Sequence, residues 1–139
     1  MSDLVEIISA EGNSKLVLTD PLFNEQGNLD YFSLTFDLPG MKAETKVYAY
    51  APHGDVLKEF FEDIAQNWKG FEGTKQYSSL EGELKIDATS DTSGHTYLKI
   101  DLRSNKQDWQ VRGDFVLVAG QLDTIVKDLQ SFFAGSATS

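Results

Sequence analysis

Residues 31–38 read YFSLTFDL, and Phe32, Leu34, Phe36 and Leu38 alternate strictly with Tyr31, Ser33, Thr35 and Asp37. A backbone that sends successive side chains to opposite faces is a strand, so this run predicts a strand with one buried face. The pattern constrains the chain more than any other because it recurs. After the turn residues Pro39 and Gly40, Ala43, Thr45, Val47 and Ala49 oppose Lys42, Glu44, Lys46, Tyr48 and Tyr50. Upstream, LVEIIS and KLVLT predict two short strands around AEGNS, and DPLFNEQGNLD predicts a loop.

The period then changes. Leu57, Phe60, Phe61, Ile64, Ala65 and Trp68 follow helical spacing, with Lys58, Glu59, Glu62, Asp63 and Gln66 on the other side. Gly54 or Asp55 is placed to cap this helix and Gly70 to end it. GFEGTKQYSS is expected as a connection. Three more strands follow, carrying Leu84, Ile86 and Ala88, then Leu98, Ile100 and Leu102, then Trp109, Val111, Phe115 and Leu117. Gly113 interrupts the last of these and predicts a bulge or a close contact. A second amphipathic helix is expected from about Gln121 to Phe133.

The expected order is β-β-β-β-α-β-β-β-α. Short turns between consecutive strands require antiparallel pairing, so the class is α+β, with both helices packed on the sheet or sheets. Each half runs strands and then a helix, which hints at a pseudo-repeat. The 139 residues suit one domain over 1–139, with a body at about 4–134 and a flexible tail at 135–139.

With no cysteine, the chain cannot build a disulfide scaffold, a thiolate metal site or a cysteine nucleophile. The start, MSDLVEIISAEG, lacks a basic stretch followed by an apolar core, and no apolar run reaches membrane-spanning length, so a cytoplasmic protein off the membrane is expected. The net charge is −10, and the excess acid lies in the first two thirds: residues 92–139 hold five acids and five bases. Such a balance disfavours nucleic acid and membrane and favours a basic protein partner.

Candidate chemistry is sparse. In DTSGH, residues 91–95, Asp91 suits the first position of a turn and Gly94 the left-handed position that closes it, so a hairpin accounts for the cluster. His53, before a helix start, is expected in a loop. Glu62 with Asp63, and Glu81 with Glu83, are adjacent carboxylates of the kind that can serve acid–base work, but a solvated face explains both pairs. Trp68 and Trp109 are expected in the core. Phosphate-loop, nucleophile-elbow and zinc-protease motifs are absent. No catalytic, cofactor-binding or metal residue is assigned.

Trp68 and Gly70 form a W-x-G at the end of the first helix, Ser79 to Leu84 form S-L-E-G-x-L, and Asp91, Gly94 and His95 mark a hairpin. Over roughly residues 15 to 133 this pattern resembles a family of small bacterial proteins known only as a domain of unknown function. The layout is also distantly similar to the WapI-type immunity proteins. That resemblance implies a small cytoplasmic inhibitor that neutralises a sibling toxin, and it transfers no binding residue.

The function expected from these readings is a non-enzymatic protein-binding module, of immunity or inhibitor type, with an acidic surface against a basic toxin or nuclease. Its expected contact residues are Glu44, Tyr48, Tyr50, Glu59, Glu62 and Asp63, acids beside exposed aromatics. Two other classes stay open: a small-molecule-binding protein or enzyme with a pocket near His53 or His95, and a homo-oligomeric structural protein, such as a homodimer built on a strand edge.

Overall fold

A computed structural model describes residues 4–27, 29–49, 56–104, 106 and 108–134. Strands β1 (Leu4–Ile8), β2 (Lys15–Phe23), β3 (Leu29–Leu38) and β4 (Met41–Tyr48) form one antiparallel sheet in sequential order. Helix α1 (Val56–Gln66) follows. Strands β5 (Lys75–Ser78), β6 (Leu84–Ser90), β7 (His95–Arg103) and β8 (Gln110–Val118) form a second sheet of the same kind, and helix α2 (Ala119–Ala134) closes the chain. The α+β class and the antiparallel pairing are those the alternation requires. The expected caps Gly54 and Asp55, and the tail at 135–139, lie outside the described residues.

Two segments differ from expectation. The connection after α1 contains β5, whose four residues, KQYS, bury only Tyr77 and so carry no readable alternation. The segment expected as a loop from Asp20 begins instead as a continuation of β2. Asp20 takes a positive φ of 52° and the register shifts between Thr19 and Leu22, a bulge that accommodates Pro21. The proline has no N–H to donate, which an irregular position in a strand tolerates.

The inner faces of both sheets contribute to one hydrophobic core with the apolar stripes of both helices. Phe36 of β3 packs on Phe115 of β8 at 5.6 Å between ring centroids. Gly113 explains how near the sheets come there: a Cβ on it would stand 2.6 Å from Cζ of Phe36. The glycine marks a close contact between sheets. Farther along β3, Phe32 meets Phe132 and Phe133 of α2 edge-to-face, at 6.0 and 6.2 Å. Phe60 of α1 lies 6.0 Å from Tyr77 of β5.

The two halves therefore repeat a four-strand meander and a helix, and each helix reaches the sheet of the other half. α1 contacts the first strand of the second sheet, α2 contacts the first strand of the first sheet, and the helices contact each other. Gln121 ties the start of α2 to β1. Its Oε1 accepts the Val118 N–H at 2.9 Å, as the third residue of a capping box does, and its Nε2 donates to the Ile8 carbonyl at 2.8 Å.

Candidate functional site

The Asp91–His95 hairpin joins β6 to β7, and Asp91 organises it. Its Oδ1 accepts the N–H of Ser93 (2.9 Å), the hydroxyl of Ser93 (2.8 Å) and the N–H of His95 (3.1 Å). Its Oδ2 accepts the Tyr97 hydroxyl at 2.8 Å. These donors, the Ser93 hydroxyl foremost, hold the Asp91 carboxyl well below the usual carboxylate range. The same bond to Asp91 raises the Tyr97 phenol. Gly94 supplies the left-handed residue, with φ +87°.

His95 completes the cluster without making it a catalytic relay. Its Nδ1 lies 2.8 Å from Ser93 Oγ and 3.4 Å from Asp91 Oδ2, so serine and aspartate share one ring nitrogen. In a nucleophile–base–acid relay they would take opposite nitrogens. Ser93 Oγ stands equally close, at 2.8 Å, to Asp91 Oδ1, so this arrangement supports a turn. The described residues include no group of three or more His, Cys, Asp or Glu suited to a metal ion.

The hairpin supports a second feature, the loop leaving α1. Both tryptophans correct the sequence reading: Trp68 is 48% exposed and Trp109 36%. The helix ends at Gln66, so Trp68 lies in the turn beyond it, and Trp109 precedes β8. Period-based facing holds only inside an element, and both residues fall just outside one. Asn67 closes the helix by donating its side-chain N–H to the Asp63 carbonyl at 2.8 Å. Gly70 follows with φ +135°, and a Cβ there would stand 3.1 Å from the Asp91 carbonyl oxygen. The Phe71 N–H donates to Ser90 Oγ at 2.7 Å, and that hydroxyl donates to the Phe71 carbonyl at 3.2 Å. A Cβ on Gly94 would touch both the Trp68 carbonyl oxygen and Ala119 of α2, each at 3.7 Å. The exit of α1, the β6–β7 hairpin and the start of α2 thus meet at one corner.

A family model described as a family of unknown function (DUF6228) matches residues 7–136. The chain belongs to DUF6228. No curated protein and no solved structure matches it. In this DUF6228 chain the W-x-G and Asp-Gly-His segments, separate in sequence, are the segments that pack together at the corner.

The residues expected to contact a partner fall on two elements. Glu44 and Tyr48 point outward from β4; Glu44 accepts the Thr35 hydroxyl at 3.4 Å, and Tyr48 is half-buried against the Tyr31 ring at 4.9 Å. Glu59, Glu62 and Asp63 lie on α1. Glu62 accepts Gln130 Nε2 at 2.9 Å, and Asp63 is ion-paired with Lys75 at 2.7 Å. Tyr50 and His53 lie outside the described residues.

Glu83 is the clearest departure. Expected on a solvated acidic face with Glu81, it is 2% exposed, while Glu81 is exposed. Its Oε1 accepts the Ser79 hydroxyl at 2.7 Å, and its Oε2 accepts the Tyr48 N–H at 3.1 Å. The carboxylate thus satisfies a backbone donor on the edge of the first sheet from the first turn of the second. Its charge and, above all, burial raise the Tyr77 phenol far above its ordinary value. Nothing in the sequence marks Glu83 as different from Glu81, because the group it serves lies in the other sheet.

The register also sorts the charges. On the outward face of the first sheet stand Glu6, Asp37 and Glu44 with Lys15, Lys42 and Lys46. On the second, Asp87, Asp101 and Asp114 alternate across strands with Lys85, Lys99 and Arg112, around a groove of about 640 Å³. Over the eight strands acids and bases are equal in number, eight of each, with Asp20 and Asp30 adding acid to the first sheet and Lys75 and Arg103 adding base to the second. Among the described residues the acid surplus resides on the helices, turns and loops. Among the described residues no helix is long and apolar enough to cross a membrane.

Proposed function

We propose that this DUF6228 chain is a non-enzymatic protein-binding module whose helix-and-turn surface engages a basic protein, as an immunity protein engages its toxin. The observation that carries this reading is the partition of charge. A net charge of −10 spread evenly would serve solubility alone. Here the strands together carry equal numbers of acids and bases, and the surplus acids of the described residues lie on the helices and turns, among them Glu59 of α1, Glu72 and Asp123 of α2. An acidic helix-and-turn surface of this kind accelerates encounter with a basic partner and helps select its orientation. The hairpin geometry agrees, since its one histidine is placed by turn-forming groups rather than by a nucleophile.

The test is affinity capture with the full chain as bait over a salt series, using two neutralised variants. One carries Glu59→Gln, Glu72→Gln and Asp123→Asn, and the other Glu6→Gln, Asp87→Asn and Asp114→Asn. A basic protein retained at low salt, lost with the first variant and kept with the second, is the expected result. Equal retention by both variants, or no basic protein retained by the parent, refutes the reading.

A further inference from the structure

We infer that Trp68 and the groove beside it form the docking point for an arginine side chain of the protein partner. This rests on the reading above that the partner is basic, and it adds the place and the chemistry. The groove, of about 570 Å³, runs between the end of α1 and the start of α2, where Ala65, Ala119 and Gly120 give it low walls and Asp123 stands at its rim. Trp68 lines it with its indole half exposed. Leaving a large aromatic surface in water forgoes burial energy, and a tryptophan ringed by polar groups is the commonest kind of binding anchor.

The seat of Trp68 is rigid, which is what an anchor needs. Its loop is clamped by the reciprocal Phe71–Ser90 hydrogen bonds, and its carbonyl packs against Gly94 of a hairpin that Asp91 holds with four hydrogen bonds. A preorganised ring loses little entropy on binding.

Charge selects the occupant. The face of an indole attracts cations, and Lys69 Nζ already stands 5.4 Å from the Trp68 ring centroid. The adjoining groove, of about 280 Å³, adds Glu72 and the already hydrogen-bonded Asp91, so Asp123 and Glu72 are the carboxylates offered at the corner, with Lys69 as the cation lining it. A guanidinium can stack flat on the indole and turn its N–H fork to Asp123, which an ammonium cannot do. The positive end of the α2 dipole, beside Gly120, disfavours a cation at the helix start, so Asp123 is the counter-charge the guanidinium needs. Lys69 then acts as an internal competitor that the arginine displaces.

The experiment uses the Trp109→Phe chain, which leaves Trp68 as the single tryptophan, titrated at low salt with hexa-arginine, hexa-lysine and hexa-glutamate peptides. Trp68 emission and calorimetric affinity are read together. Hexa-arginine should shift the emission saturably, bind more tightly than hexa-lysine, and lose about tenfold in affinity on Trp68→Ala or Asp123→Asn. Lys69→Ala should tighten it, a gain that a merely structural Lys69 would not produce. Calorimetric binding of hexa-arginine with unchanged Trp68 emission, or with full affinity in Trp68→Ala, overturns this docking point and leaves the acidic-surface reading standing. Failure of both basic peptides to bind overturns the two together.

Discussion

Replacing Gly113 by alanine tests whether the two sheets meet as closely as the structure places them. The added Cβ would stand 2.6 Å from Cζ and 3.2 Å from Cε2 of Phe36, and 3.3 Å from Cδ2 of Leu38. Carbon atoms pack at about 3.5–4.0 Å, so the ring would have to withdraw by about 1 Å. It has little room to do so, since Phe36 is fully buried and lies against Phe115. Overpacking of this kind costs about 1–3 kcal/mol. Gly113 is not among the positive-φ glycines, so alanine also gains about 0.4–1 kcal/mol by restricting the unfolded chain. The net expectation is a loss of about 1–2 kcal/mol in urea unfolding at unchanged m-value. Phe36→Leu alone should destabilise by truncating the core, but in the double variant the smaller side chain makes room for the methyl. The two changes should then couple favourably by about 1 kcal/mol. A Gly113→Ala chain as stable as the parent, with additive behaviour in the double variant, would refute the close approach of β8 to β3.

Glu83→Ala should cost about 1–3 kcal/mol in the same assay, because it removes the acceptor of the part-buried Tyr48 N–H and of the buried Ser79 hydroxyl; a loss below about 0.5 kcal/mol would mean that this link between the sheets contributes little. Asp91→Asn should lower the melting temperature at neutral pH. The Asp91 carboxyl is depressed in the fold, so its stabilisation is present above its unfolded pKa of about 4 and is lost as the pH falls below that. The gap between parent and variant should therefore close in acid, and a gap independent of pH would show that ionisation of Asp91 does not hold the hairpin. Gly94→Ala, at φ +87°, should destabilise by about 1 kcal/mol and, by loosening the seat of Trp68, increase the anisotropy decay of its emission in the Trp109→Phe background. An unaltered decay would separate the hairpin from the tryptophan.

What could be read without the structure was whatever is local. Alternation at Phe32, Leu34 and Phe36 makes a strand, and spacing at Leu57, Phe60, Phe61 and Ile64 makes a helix, because side-chain direction follows from the backbone of the element itself. Asp91 and Gly94 spell a turn for the same reason, and Gly113 announced a bulge or a close contact, without saying which or with what. The tertiary structure alone decided the rest. β5 exists because β6 pairs with it, not because KQYS favours a strand. Trp68 is exposed and Glu83 buried, against their residue types, because each takes its environment from chain far away in sequence: the hairpin and α2 around one, the edge of β4 around the other. Which charges stand side by side on a sheet face likewise depends on strand register. Composition sets how many acids the chain carries, but only the pairing of strands sets which of them stand beside a base and which remain for a partner.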